Sequence, residues 1–269
     1  MSIFHHQLTS KPATDSGKNE YKHSALYLVR QTLYNCLLIF SHVPNTVLKS
    51  PPPWTLTGSG IILVAHFPEA FVQSQGFLEP YQQRSYRGWV GTVMIVNYTA
   101  SPVGPYQELL FIPGLFQFGS KTSFSISKIY VSTPESVWNG RYNWGIPKEL
   151  ANFLFDKNSD GSQSIRVSYE GNLFLSLRAK PWSFRFPITT AVLPGFQVVQ
   201  HPLTTPATAN QASAKLLLTR PSARGSARLA TLSDVQVDPL RFPDIDRVKP
   251  LAVLAVENFQ MTFPSPEAY

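Results

Sequence analysis

Charge is scarce in this chain: Asp, Glu, Lys and Arg make up 14% of its 269 residues, and no block of five or more basic residues occurs. The net charge of +7 and pI near 9.5 attract anions in a general way, but tracking a nucleic-acid backbone takes a clustered basic footprint. Nucleic acid is therefore not an expected partner. The loosest basic cluster, Arg220, Arg224 and Arg228, lies in a Pro/Ser/Gly/Ala stretch and reads as a solvated loop. A single cysteine, Cys36, excludes an internal disulfide, fits a reducing compartment and reads as a small buried hydrophobe. The six histidines show no metal-ligand spacing apart from the adjacent His5 and His6, and His66 alternates with apolar residues as a core histidine does. Asp156-x-Asn158-x-Asp160-Gly161 copies the front of a calcium loop, but Val167 stands where the closing Glu belongs, so a turn on Asp160-Gly161 is expected and no metal. No Gly-rich phosphate loop, Gly-x-Ser-x-Gly elbow or internal repeat is present.

Long apolar runs are missing as well. Ser24 to Phe40 has a Ser N-cap and an apolar stripe, but Arg30 and Asn35 interrupt it too often for a membrane span. No basic-then-apolar signal opens the chain, so the expectation is a cytoplasmic protein without stable membrane insertion. Residues 1–48 form a polar tail plus this candidate helix, read either as a helix packed on the domain or, preferably, as a dispensable extension. Residues 49–269 form the domain proper, entered through Pro51-Pro52-Pro53-Trp54, which cannot be helical.

The chain does hold 43% hydrophobic residues, 13% aromatics, 23 prolines and 15 glycines, enough for a sizeable core of short strands joined by turns. Strands are expected at Gly60 to Phe67, Trp89 to Tyr98, Tyr106 to Ile112, Phe124 to Val131, Ile165 to Tyr169, Leu173 to Arg178, Trp182 to Ile188, Lys215 to Thr219, Leu229 to Val237 and Leu251 to Phe263. Short helices are expected over Pro68 to Gln75, after Thr133 and after Pro147. The expected class is mainly β, with α+β character at the margins, in a closed or nearly closed antiparallel sheet whose interior has room for a ligand.

Two segments carry the candidate chemistry. In Gly140-Arg-Tyr-Asn-Trp-Gly-Ile-Pro-Lys-Glu-Leu150, Pro147 and Gly145 stiffen a turn from which Lys148 departs in largely apolar surroundings. An amine attacks only when unprotonated, so burial or a positive neighbour must favour its neutral form. Upstream, Tyr106, Glu108, Leu110 and Ile112 share one face of a strand, which places a carboxylate in an apolar row. There Glu108 is either a proton-handling group paired with a lysine or half of a structural salt bridge.

Together these segments resemble the acetoacetate decarboxylase-like superfamily, in which a Tyr-x-Glu strand precedes a Gly-Arg…Pro-Lys turn whose lysine forms a Schiff base. The resemblance runs from about Pro52 to about Phe263 and rests on Pro52-Pro53-Trp54, Gly104-Pro-Tyr-Gln-Glu108, Gly140-Arg141 and Trp144-Gly-Ile-Pro-Lys-Glu-Leu-Ala151. It implies a cone-like antiparallel β-barrel, Lys148 as the Schiff-base lysine, Glu108 as the family's carboxylate, and no metal or organic cofactor. Three positions depart from the family's pattern. Glu149 replaces the second lysine that activates the first in acetoacetate decarboxylase, and a rough alignment puts Ser59 and Val93 where an arginine and a further carboxylate are expected. The implied function is a decarboxylase-like, Schiff-base-forming lyase acting on small keto acids or related carbonyl compounds. In it Tyr106, Arg141 and Trp144 would contact substrate, with Arg141 equally readable as a clamp of its own turn. The alternative is a non-enzymatic or unassigned barrel binding an apolar ligand, since Ser-Pro-x-Gly-x-x-x-Glu-Leu at 101 to 109 is also similar to plant proteins linked to neoxanthin accumulation. A homo-oligomer is compatible with either reading.

Overall fold

A computed structural model describes residues 47–192, 196–202 and 215–269. The candidate helix from Ser24 to Phe40, Cys36 and the extension up to residue 46 lie outside the described residues. Val47–Tyr269 is one compact unit.

Strands dominate it. In chain order they are β1 (Trp54–His66), β2 (Tyr86–Gly88), β3 (Val90–Ala100), β4 (Tyr106–Ile112), β5 (Leu115–Phe118), β6 (Lys121–Phe124), β7 (Lys128–Val131), β8 (Lys148–Leu150) and β9 (Asn152–Lys157). There follow β10 (Gln163–Tyr169), β11 (Asn172–Pro181), β12 (Phe186–Thr189), β13 (Val198–Gln200), β14 (Leu217–Thr219), β15 (Ser222–Val237), β16 (Ala252–Phe263) and β17 (Glu267–Ala268). The helices are α1 (Glu69–Gln75), α2 (Pro80–Gln83) and α3 (Pro134–Trp144). Among the described residues no helix is long and apolar enough to cross a membrane.

The larger sheet has eleven strands, in the order β8-β7-β4-β3-β1-β16-β15-β11-β10-β9, with β12 also paired to β15. Its two ends, β8 and β9, are consecutive in the chain and separated by Ala151 alone, so the sheet must curl back on itself. The curl is a half-barrel: β8 and β9 run on end to end without pairing, which corrects the expectation of a closed or nearly closed sheet. A second sheet of six short strands runs β17-β14-β13-β6-β5-β2. Pairing is antiparallel except for β7 with β8 and β6 with β13. The first exception follows from connectivity, because a helix crossover returns the chain parallel to the strand it left.

Alternation along β1, β3 and β4 divides the apolar residues between the two faces of the large sheet. Ile61, Leu63, Val93, Ile95, Leu109 and Phe111 join one core with Ile165, Val167 and Leu175 from β10 and β11. Trp54, Leu56, Val96, Tyr98, Tyr106, Leu110 and Val131 form the other, together with Trp144 and Ile146. On that second face one row of paired residues runs Val131, Glu108, Val96, Gly60.

Helix α3 covers this face. Thr133 caps its start by accepting the Ser136 N–H at 3.3 Å, Pro134 occupies the first turn, and Gly145 ends it in the left-handed region at φ 66°. Buried Asn139 ties the helix to the entry segment, donating to the Leu48 carbonyl at 2.7 Å and accepting from the Ser50 N–H at 2.8 Å. Asn143 and the Trp54 indole both donate to the Ser50 carbonyl.

Several local expectations change. No helix follows Pro147: the Lys148 N–H closes a tight turn on the Ile146 carbonyl at 2.8 Å, and the chain then adds to the free edge of β7 as β8. Arg224 and Arg228 belong to strand β15 rather than to a loop, since the stretch from Ser222 pairs with β16 on one side and β12 on the other. His66, at the very end of β1, is exposed rather than in the core. The Asp160-Gly161 turn does join β9 to β10, with Gly161 at φ 79° and Asp160 accepting from Ser162.

Candidate active site

Lys148 and Glu108 start on strands β8 and β4, which lie on either side of β7. Neighbouring strands are roughly 4.8 Å apart, so the two side chains must bridge about 10 Å across the floor formed by Val131 and Ile129. They meet there. Lys148 Nζ lies 2.8 Å from Glu108 Oε2, with each residue only 5% exposed. The lysine stem runs beneath α3 at Gly140, where a Cβ would stand 2.5 Å from Lys148 Cδ and 2.8 Å from Cε. Only glycine leaves that passage open.

The pair is well supplied with partners. Lys148 Nζ also donates to Ser136 Oγ at 3.0 Å and sits 5.1 Å from the centroid of the Tyr106 ring. Glu108 Oε1 accepts from the Tyr98 hydroxyl at 3.1 Å, and the Tyr98 and Tyr106 rings lie 4.6 Å apart. Burial pushes the Tyr98 and Tyr106 phenols well above their ordinary range, and the nearby Glu108 carboxylate raises both further. Both tyrosines are therefore neutral hydrogen-bonding groups at any ordinary pH.

The remaining sequence candidates fall less centrally. Glu149, the residue that departs from the double-lysine pattern, faces away from the site: it pairs with Tyr130 in the β7–β8 register and takes an ion pair from Lys128 at 2.6 Å. It is thus no direct partner of the Lys148 ammonium. Arg141 is exposed, and its Nε donates to the Lys148 backbone carbonyl at 2.7 Å, which makes it a clamp on β8. Trp144 is enclosed edge-to-face by Trp54 and Phe263, and its indole N–H donates to the Pro264 carbonyl at 2.8 Å. Val93 pairs with Phe111 and belongs to the opposite core, and Ser59 pairs with Asn97 on that same opposite face. Neither points toward Lys148. Two surface clefts, one beside Arg220 and Arg224 and one beside Ile188 and Asn258, do not include the Lys148–Glu108 pair.

Sequence reasoning missed Tyr98, Ser136 and Gly140 as site residues. The available signal was register: Tyr98 lies across from Tyr106, and Ser136 and Gly140 are four apart on one helix face.

This arrangement can pass a proton between a buried amine and a carboxylate while two neutral phenols and a hydroxyl hold both in place. Residues 77–193 match the family profile of acetoacetate decarboxylase (ADC). No curated protein matches the sequence significantly. The fold is similar to acetoacetate decarboxylase from Legionella pneumophila, with TM-score 0.63 and 14% identity over 85% of this chain and 92% of that one. An acetoacetate decarboxylase-like enzyme from Sphingomonas wittichii RW1 superposes with TM-score 0.62 at 10% identity, over 84% of this chain and 96% of the other. The enduracididine biosynthesis enzyme MppR, in its complex with pyruvate, gives TM-score 0.57 at 12% identity over 84% and 94%. Residues 77–193 thus carry the acetoacetate decarboxylase profile, and the chain shares the fold of acetoacetate decarboxylase-like enzymes.

Proposed function

We propose that this protein is a Schiff-base-forming, lyase-type enzyme acting on small keto acids or related carbonyl compounds, with Lys148 as nucleophile and Glu108 as the group that moves protons. The observation that carries the reading is the 2.8 Å contact between a buried lysine and a single buried carboxylate. Proton transfer from the ammonium to Glu108 frees the amine without help from a second lysine. Attack on a carbonyl carbon then gives an iminium, which draws electrons from the adjacent bond. Ser136 and Tyr98 position the two groups, and the reading asks for no metal or organic cofactor.

A second reading, an apolar-ligand-binding barrel without catalysis, draws support from the same cluster. Every polar atom of the pair already has a partner, as in a purely structural salt bridge. Borohydride trapping followed by peptide mass spectrometry separates the two. The enzyme reading expects a reduced adduct on the peptide bearing Lys148, lost in Lys148→Arg. Absence of that adduct with every keto acid, aldehyde and ketone tried, even at alkaline pH, would leave the binding reading.

A further inference from the structure

The charges that meet Lys148 are few and already matched. Strand β4 contributes Glu108 and the Tyr106 ring, and α3 contributes Ser136 and the backbone at Gly140. Tyr98 from β3 reaches Glu108, and the β7 residue paired with Glu108 is apolar Val131. Among the described residues the cluster therefore holds one cation and one anion, in direct contact. Two basic residues that flank the pair in the fold are turned elsewhere. Arg141 is exposed and occupied with the Lys148 carbonyl, and Lys128 lies on the other face with Glu149. Residues 203–214, which follow Pro202, include no charged side chain.

We infer that this site is built for an uncharged aldehyde or ketone rather than for a keto acid. The inference rests on the Schiff-base reading above and narrows it. A substrate carboxylate brought to Lys148 would be a second anion beside Glu108 with a single cation to share. Once the C–N bond forms, that cation is the iminium itself, and among the described residues no arginine or second lysine reaches the pair to hold the acid. An uncharged carbonyl needs only a hydrogen-bond donor for its oxygen, which Ser136, Tyr98 and Tyr106 are chemically able to supply.

The steps balance without an oxidant or reductant. Lys148 passes a proton to Glu108, and the free amine adds to the carbonyl carbon. That proton and one further proton from nitrogen leave with the carbonyl oxygen as water, giving the iminium, whose nitrogen keeps its last proton, and restoring the Glu108 carboxylate. Glu108 then takes the α-proton, the C–H electron pair forms the new C=C bond, and the iminium π pair moves to nitrogen, giving a neutral enamine. Return of a proton completes α-hydrogen exchange, whereas attack of the enamine carbon on a second aldehyde forms a C–C bond.

The test uses the full chain, cyanoborohydride and four probes at equal concentration: butanal and butanone against acetoacetate and 2-oxobutanoate. Adducts are mapped by peptide mass spectrometry, and the other lysines in the same digest serve as internal reference for probe reactivity. Relative to those lysines, Lys148 should favour the uncharged probes at least tenfold, and Lys148→Arg should remove only that adduct. The chain's net charge of +7 works against this outcome, since it draws anionic probes. Equal or preferential labelling of Lys148 by the keto acids would overturn the inference and leave the Schiff-base reading standing. No adduct at Lys148 with any probe would overturn both.

Discussion

A buried lysine and carboxylate in contact cost much when separated and contribute little as a pair, because each has lost its water. Glu108→Gln or Lys148→Met alone should therefore destabilise the fold by about 3 to 5 kcal/mol. The double variant should lose clearly less than the sum, a coupling of roughly 1 to 3 kcal/mol in urea denaturation. Additive losses would show that the two charges do not interact. Gly140 offers a sharper test, because the Cβ of an alanine would collide with the Lys148 stem. In wild type, Gly140→Ala should displace Lys148 and abolish borohydride trapping. In a Lys148→Ala background the clash is gone, so the same change should stabilise the helix by about 1 kcal/mol, the usual advantage of alanine over glycine. Stabilisation in both backgrounds would mean that the lysine does not pass under Gly140. The Lys148–Glu108 contact was legible in the sequence because a carboxylate in an apolar row and a lysine leaving a Pro-stiffened turn are anomalies visible without coordinates. Ser136 was not, since a serine near a helix start looks like an ordinary first-turn residue, and only the packing of α3 over β7 aims it at Lys148. Trp144 stood within the right motif, yet its ring packs between Trp54 and Phe263, a matter of tertiary packing that no local pattern displays.

Helix α3 is the element on which the site depends, and its hold on the entry segment can be tested directly. Asn139→Ala removes hydrogen bonds to Leu48, Ser50 and Glu135. At about 1 kcal/mol each, the loss should come to roughly 2 to 3 kcal/mol in a thermal or urea melt. Truncation of residues 1–45 should leave the melt of the remaining domain unchanged, whereas truncation through Ser50 should lower it, because Trp54 and Asn143 then lose their acceptor. A molten 46–269 fragment, seen as loss of near-ultraviolet circular dichroism, would make the extension part of the fold. Among the elements, β3, β4 and β16 were readable to within a few residues from long alternating runs. The short strands of the second sheet, two to four residues each, carry too little periodicity to announce themselves. Pro147 misled for a different reason: it lies just past the Gly145 cap, where proline stops a helix rather than starting one. The free edge of β7 then claims Lys148 to Leu150.

At the scale of the whole molecule, sheet closure was the least legible feature, because it depends on the register of long-range pairs and on how far the sheet curls. Local alternation says which face each residue takes, and it did so for the two cores, but it does not say that β8 and β9 end the sheet as one continuous stretch of chain. The same long-range burial sets the response to alkali. Tyr98 and Tyr106 are pushed well above the ordinary phenol value of 10.0, Tyr86 is pushed up to about 12 and Tyr130 is raised as well, each chiefly by burial. Below pH 10 these phenols are neutral in both folded and unfolded chains, so their contribution is fully present. Above pH 10 the unfolded chain releases its protons first, and each such tyrosine then removes about 1.4 kcal/mol of stability per pH unit until its folded-state value is reached. The melting temperature should therefore fall steeply as pH passes 10. Tyr98→Phe and Tyr106→Phe should each reduce that slope, although each also costs a hydrogen-bonding group beside Glu108 at neutral pH. Phenolate absorbance from the buried tyrosines should appear together with loss of circular dichroism. If all 11 tyrosines instead ionise near pH 10 while the fold stays intact, the Tyr98–Tyr106 cluster is open to water and the sealed site around Glu108 is wrong.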